Sequence, residues 1–220
     1  MRKIFRRQKQ EEEFAMNEKA KRLFMTVVGV LVSGFCAGMF DFSAFGMDPF
    51  QVFAHGIWEK VNIGFGTLYV IINVILLVVD FFWDKKKLGL GTLINLFLLG
   101  YVVQFSSWLF GTIFPNPTMF IRIAVLAVAI VGICFSSAFY FTADMGVSTY
   151  DAIALTLHEK TGWQFRLCRI GTDLICVVIG FACGAIVGVG TLISAFFMGP
   201  LIDFFKKKVS EPFLYGKNNV

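Results

Sequence analysis

Asp173 and Arg169 stand four residues apart inside an otherwise apolar stretch of the chain. On a helix that spacing puts them one turn apart on one face, where the pair can neutralise itself. The other reading gives Asp173 to a proton, a cation or a polar solute group, because ionisable residues within apolar runs mark ion and substrate routes. Asn73 holds the comparable place in an earlier run, and Asn95 and Ser194 form a second comparable pair. Thr92 and Thr191 belong to two G-x-G-T-L-I blocks, Gly89–Ile94 and Gly188–Ile193. There the glycines permit a tight turn and the threonine can bond a free N–H at a helix start. Helix starts attract anions, so two of them could line a permeation route; equally, they could be plain caps with glycines for close packing. The candidate substrate- or ion-binding residues are therefore Asp173, Asn73, Asn95, Ser194, Thr92, Thr191 and Arg169. Gln104 and Asp203 match nearer the ends of their runs, and Asp41 and Asp144 close two others. Such a set would equally serve as interhelical hydrogen bonds worth under ~2 kcal/mol each.

Other chemistry finds little support. His55 and His158 are the only histidines, and no HExxH, G-x-S-x-G or Walker pattern occurs. The five cysteines (Cys36, Cys134, Cys168, Cys176, Cys183) show no CxxC or Cys/His spacing, so neither a disulfide framework nor a zinc site is expected. The expectation is no catalytic residue, no metal, no cofactor and no enzymatic activity. The G-x-G blocks are not a dinucleotide fingerprint, since no strand precedes them. The net charge of +5 comes from basic residues at the ends of apolar runs, which lipid headgroups explain better than nucleic acid.

The elements that must carry these residues follow from composition. Hydrophobic residues are 57% of the chain and charged ones 16%, against about 25% charged in ordinary globular domains. Residues 23–40, 61–79, 88–121, 123–143 and 174–202 carry no charge at all. A helix needs about 20 mostly apolar residues to cross a bilayer core, so the chain reads as an all-α polytopic membrane protein. Candidate spans are 23–45, 64–83, 90–113, 118–142, 165–184 and 190–205. The fifth is interrupted by Arg166, Arg169 and Asp173, and the last is short, so five spans remain an alternative. With the N-terminus inside, 18 of 20 Lys/Arg fall on cytoplasmic pieces, leaving only Lys60 and Arg122 outside. The positive-inside rule thus favours six spans with both termini cytoplasmic. Residues 1–22 form a basic cytoplasmic arm, 23–113 and 118–205 two three-helix units, and 206–220 a cytoplasmic tail.

The two units are related. Residues 89–100 (GLGTLINLFLLG) and 188–199 (GVGTLISAFFMG) are identical at seven of twelve positions. FGMDPFQVFAHGIWEK at 45–60 aligns with MGVSTYDAIALTLHEK at 145–160. Three spans per unit is odd, so the second unit enters the membrane from the opposite side, an arrangement recurrent in secondary transporters. Each aligned block opens with a helix-start motif, marked by Gly46 and Asp48 in one and by Gly146, Ser148 and Asp151 in the other. The short helix that follows carries Gln51, His55 and Glu59 on one stripe. It lies at the membrane surface with that stripe in water, or folds back with the stripe lining a cavity. Gly34-x-x-x-Gly38 and Gly180-x-x-x-Gly184 read as helix packing within the bundle, with a homodimer as the minority option.

The repeated order of a glycine, a capped amphipathic helix ending in Glu-Lys, an apolar span and G-x-G-T-L-I-N/S-x4-G resembles the YczE/YitT-type bacterial membrane proteins. Gly146-Val147-Ser148-Thr149-Tyr150-Asp151 is similar to that group's Gly-Val-Ser-Pro-Trp-Asp element, while Gly46-Met47-Asp48-Pro49-Phe50-Gln51 keeps the proline. The resemblance covers roughly residues 25–205 and implies a polytopic protein of the bacterial cytoplasmic membrane, without indicating a substrate. Together these observations lead to the expectation of a small permease in the lipid bilayer, moving an unidentified small molecule or ion by alternating access. The competing expectation is a non-transporting accessory protein that acts on a protein partner through its basic surface.

Overall fold

A computed structural model describes residues 2–84 and 87–216, with the side chains of 18–84, 87–164 and 167–216. Among the described residues every regular element is helical. In order they are α1 (Arg2–Ser43), α2 (Pro49–Trp58), α3 (Phe65–Asp84), α4 (Leu90–Ile113), α5 (Met119–Ala143), α6 (Thr149–Thr161), α7 (Phe165–Cys183) and α8 (Val189–Phe205). A π-helical turn (Lys206–Ser210) and α9 (Glu211–Tyr215) close the chain.

Five helical segments are long and apolar enough to cross a membrane: Glu18–Ser43, Phe65–Asp84, Leu90–Ile113, Met119–Ala143 and Val189–Tyr215. Large apolar side chains such as Phe82, Phe120, Phe181 and Phe197 point outward from the bundle. In water that would be a broad sticky surface, whereas against lipid tails it is the expected exterior. The expected fifth span, α7, is a 19-residue helix but is not among the five. Its first half carries three charged residues, Arg166, Arg169 and Asp173, which interrupt the apolar run. The last span is longer than expected, because the helix continues past Pro200 through the π turn to Tyr215. The expected arm at 1–22 is not a separate element, since α1 runs unbroken from Arg2.

α1 is the central post, packed along both α4 and α5. Small residues let the backbones close: a side chain at Gly34 would meet Val102, and one at Gly38 would meet Ser106 and Val103. The Gly-x-x-x-Gly pair thus packs helices within the bundle.

The order α1–α4 recurs as α5–α8, and the loops between the first two helices of each set match in backbone. Ala44 and Asp144 both adopt the left-handed conformation (φ 56° and 51°), as do Gly46 and Gly146 (φ 96° and 105°). Each loop then docks on the other half. The Gly91 N–H donates to Met145 O at 2.7 Å, and the Gly190 N–H donates to Phe45 O at 2.8 Å. A Cβ at Gly46 would collide with Gly188 N at 2.6 Å, and one at Gly146 with Gly89 N at 2.6 Å. The start of α4 is capped by the second half's loop, and the start of α8 by the first's. The two halves are interlocked by the same contact made twice.

The short helices fold into the bundle, which decides between the two alternatives left by the sequence. α2 packs against α7 and α3, burying Phe50, Gln51, Val52, Ala54 and His55. α6 packs against α3 and α7, burying Tyr150, Ala152, Ala154 and Thr156. A surface position fails because α2 has no polar face left to give to water: Gln51 and His55 are themselves covered.

Candidate functional site

The inward helices α2 and α6 meet near their starts. Asp48 caps α2 by accepting the N–H groups of Phe50 (3.1 Å) and Gln51 (3.3 Å), with Pro49 in the first turn. Ser148 caps α6 by accepting the Asp151 N–H at 3.1 Å, and its hydroxyl donates to Asp151 Oδ2 at 2.6 Å. These caps bring Phe50 and Tyr150 into stacking contact, ring centroids 4.8 Å apart.

Around that stack lies a cavity of about 990 Å³ whose wall draws on both halves. Asn73 and Asn95 from the first half and Arg169, Asp173 and Ser194 from the second all line it. Five of the seven residues singled out by type and spacing are therefore brought to one space. Thr92 and Thr191 are not. Both are buried, and each hydroxyl accepts the N–H of its own cap glycine, Gly89 at 3.1 Å and Gly188 at 3.4 Å. Thr92 also donates to Val147 O at 2.6 Å. These helix starts are already occupied by the opposite loop, which fits the plain-cap reading.

The charged centre is a chain of contacts anchored on Arg169. Its guanidinium bonds Asp151, approaches Asp173 Oδ1 with Nε at 3.3 Å, and sits 4.7 Å from the Tyr150 ring centroid. The Tyr150 hydroxyl donates to Asp173 Oδ1 at 2.5 Å and lies 3.2 Å from Thr172 Oγ1. Asp173 is thus paired, but with more than its helical neighbour: the network ties α6 to α7. Asn73 is also engaged. Its Oδ1 accepts the Thr149 hydroxyl at 2.6 Å, and its Nδ2 donates to Tyr69 O at 2.8 Å. Ser194 donates to Thr191 O at 2.9 Å.

Asp48, Asp203 and Lys206 also reach the cavity. Type and spacing marked Asp48 and Asp151 only as helix-start residues, and gave Tyr150 and Phe50 no role beyond those motifs. The signal that could have found them is the offset of 100 that relates Phe50 to Tyr150 and Gln51 to Asp151. The wall carries four carboxylates (Asp48, Asp151, Asp173, Asp203) beside Arg169 and Lys206, so its formal balance is acidic.

A second polar cluster closes the far end of α3. Lys87 bonds Asp84 Oδ2 at 2.9 Å and Glu159 Oε2 at 2.7 Å, joining the turn after α3 to the end of α6. Burial works against the Lys87 charge, but the two carboxylates outweigh it and hold the ammonium above its ordinary range. No group of three or more potential metal ligands occurs among the described residues.

Comparison with known proteins gives the family. Residues 20–207 match the family of unknown function DUF6198, and the chain belongs to it. It is 24% identical over 162 residues to the Bacillus subtilis "Uncharacterized membrane protein YczE", covering 73% of this chain and 74% of that one. It is 24% identical to an uncharacterized protein of Haemophilus influenzae (84% and 83% covered) and to the uncharacterized B. subtilis protein YyaS (85% and 93%). No solved structure matches. A named membrane relative and the long apolar helices together make this a multi-pass membrane protein.

Proposed function

We propose that this DUF6198 member is a permease for a small solute, working by alternating access between two inverted three-span units. In this reading α7 is the sixth span, both termini are cytoplasmic, the membrane is the bacterial cytoplasmic one, and the protein catalyses no reaction. The observation that carries the proposal is the central cavity. At about 990 Å³ it is at the upper end of the usual ligand-pocket range of about 300–1,000 Å³, and its polar groups converge from both halves. The reciprocal loop docking adds support, because a contact made twice gives the halves a common hinge. An odd number of spans per half would face the two docks to opposite sides of the membrane. Arg169 counts as tolerable at that depth because Asp151, Asp173 and the Tyr150 ring surround it.

Thermal stability of the detergent-purified protein against a metabolite and ion library tests this directly, with Asp173→Asn in parallel. A ligand at 100 times its Kd stabilises the native state by about 2.7 kcal/mol, a resolvable shift. A hit lost in Asp173→Asn, followed by its uptake into proteoliposomes, is the expected result. Folded protein that binds nothing would sink the permease reading in favour of an accessory role through a protein partner.

A further inference from the structure

Asp80 is the one carboxylate on the buried face of α3, which it shares with Tyr69, Ile72 and Asn73. It is 1% exposed, and among the described residues neither of its carboxyl oxygens has a hydrogen-bond partner. The natural cation for it, Lys87, is held instead by Asp84 and Glu159.

What faces Asp80 follows from helix register. α3 and α6 run in the same direction, since Thr149 bonds Asn73 near one end while Lys160 lies over the Trp83 ring and Glu159 meets Lys87 at the other. Asp80 is seven residues beyond Asn73, and Thr156 is seven beyond Thr149. Seven residues are two turns, about 10.5 Å of rise, and return to the same face. Thr156 is also 1% exposed, and its hydroxyl too has no hydrogen-bond partner among the described residues. The corresponding pair of α2 and α7 shows the same register directly: at the matched positions Gly56 and Gly180 are in contact, a Cβ on Gly56 lying 2.6 Å from Gly180 O. Where α2 and α7 press glycine to glycine, α3 and α6 enclose a carboxyl and a hydroxyl.

We infer that Asp80, facing Thr156 across the α3–α6 interface, is a proton-binding site separate from the central cavity. A carboxylate enclosed without a cation or donor is strongly disfavoured, and adding one proton to it (–COO⁻ + H⁺ → –COOH) removes the charge with no other bond changed. Among the described residues, Lys87 acts on Asp80 only through space, and the other ionisable groups of the surrounding elements are engaged elsewhere. On α6, Glu159 is on Lys87, Lys160 is over Trp83, and His158 meets Trp163 O at the helix end. α4 offers only uncharged Thr92 and Asn95 along this part, and His55 and Glu59 of α2 belong to the opposite end of α3, near Phe65. Loss of the proton would leave a charge that the closed interface cannot accommodate, so α6 must part from α3 to release it. Use of this proton to drive transport rests on the permease reading; its binding does not.

Infrared spectra of the purified full chain at neutral pH, wild type minus Asp80→Asn, read the binding alone. The expected difference is the C=O stretch of a protonated carboxyl, present in wild type and absent in the variant. A difference in the carboxylate stretch instead would overturn the site. Asp80→Gly, which copies the residue at 180, gives the same readout should the asparagine variant fail to fold. Backbone hydrogen exchange in α6, corrected for intrinsic rate, should accelerate from acid to alkaline pH in wild type and not in the variant. Equal acceleration in both would overturn the closing role. Neither measurement depends on a solute being found, so a failed ligand screen and a failed proton site are told apart.

Discussion

The contact of α2 with α7 and that of α3 with α6 occupy matching places in the chain, yet their polar groups are arranged in opposite ways. Near the cavity the second half carries most of the charge: Asp48 is the first half's one carboxylate in the wall, and Tyr150, Asp151, Arg169 and Asp173 stand where the first half has Phe50, Gln51, Tyr69 and Asn73. The aromatic contact of Phe50 with Tyr69 (5.6 Å) becomes the stacking of Arg169 on Tyr150 (4.7 Å). Toward the other ends of the same helices the asymmetry reverses. There Asp80, Asp84 and Lys87 stand in the first half against Gly180, Gly184 and Val187 in the second. Most of the charge at the cavity comes from the second half, and most of that at the rim from the first. The backbone contacts that hold the scaffold are shared, and the side chains are where the halves differ.

The sharpest way to break this comparison is to exchange the residues at 80 and 180. A Cβ on Gly180 would run into the Val52 carbonyl, which cannot move away as a flexible side chain could. Gly180→Ala should therefore cost about 3 kcal/mol in denaturation from mixed micelles, whereas Asp80→Ala should change stability by about 1 kcal/mol or less, or even raise it, because it deletes an unpaired buried group. Equal losses at both positions would mean the two interfaces are packed alike. Next in size is Asp173→Asn, expected to cost about 1–2 kcal/mol: less than the rupture of a fully buried pair, because Arg169 keeps Asp151 and is 34% exposed. Its counterpart Asn73→Ala should cost about 0.6 kcal/mol, the value of an ordinary intramembrane hydrogen bond.

Smaller effects sharpen the same contrast. Thr92→Val should cost about 1 kcal/mol and Thr191→Val about half that, because Thr92 also donates to Val147 O and its cap bond is shorter. The same denaturation series checks both, and a reversed order would place the stronger interlock at the α8 start. Glu159→Gln should cost under ~1 kcal/mol, as a half-exposed ion pair does. Glu59→Gln should cost nothing measurable, since its carboxylate sits against Gly184 and the position that corresponds to Lys87 is Val187.

Much of the fold was legible because bilayer physics writes itself locally. A charge-free run of about 20 residues is a span wherever it occurs, and the observed helices Phe65–Asp84, Leu90–Ile113 and Met119–Ala143 lie within a residue of the expected 64–83, 90–113 and 118–142. Caps were legible for the same reason: Asp48 and Ser148 act on N–H groups two or three residues away. Of the site, the residues interrupting apolar runs were visible, and Asp173, Asn73, Asn95, Ser194 and Arg169 do share a cavity. Asp80 was not visible as anything but the end of a run. In sequence it resembles Asp84, which is paired at the rim; only the cover provided by α6 makes it different.

By itself, then, the sequence determined an all-helical membrane chain, the limits of most helices and their caps. Each of these depends on residues within a few turns of one another. Only the tertiary structure decided that α2 and α6 turn inward, that each half's loop occupies the other's helix start, and which acids are paired and which enclosed. Those outcomes depend on contacts between residues 54 to 145 positions apart, such as Gly91 with Met145, Gly190 with Phe45 and Gly56 with Gly180. A side chain's partners and its burial are properties of the surfaces that close over it.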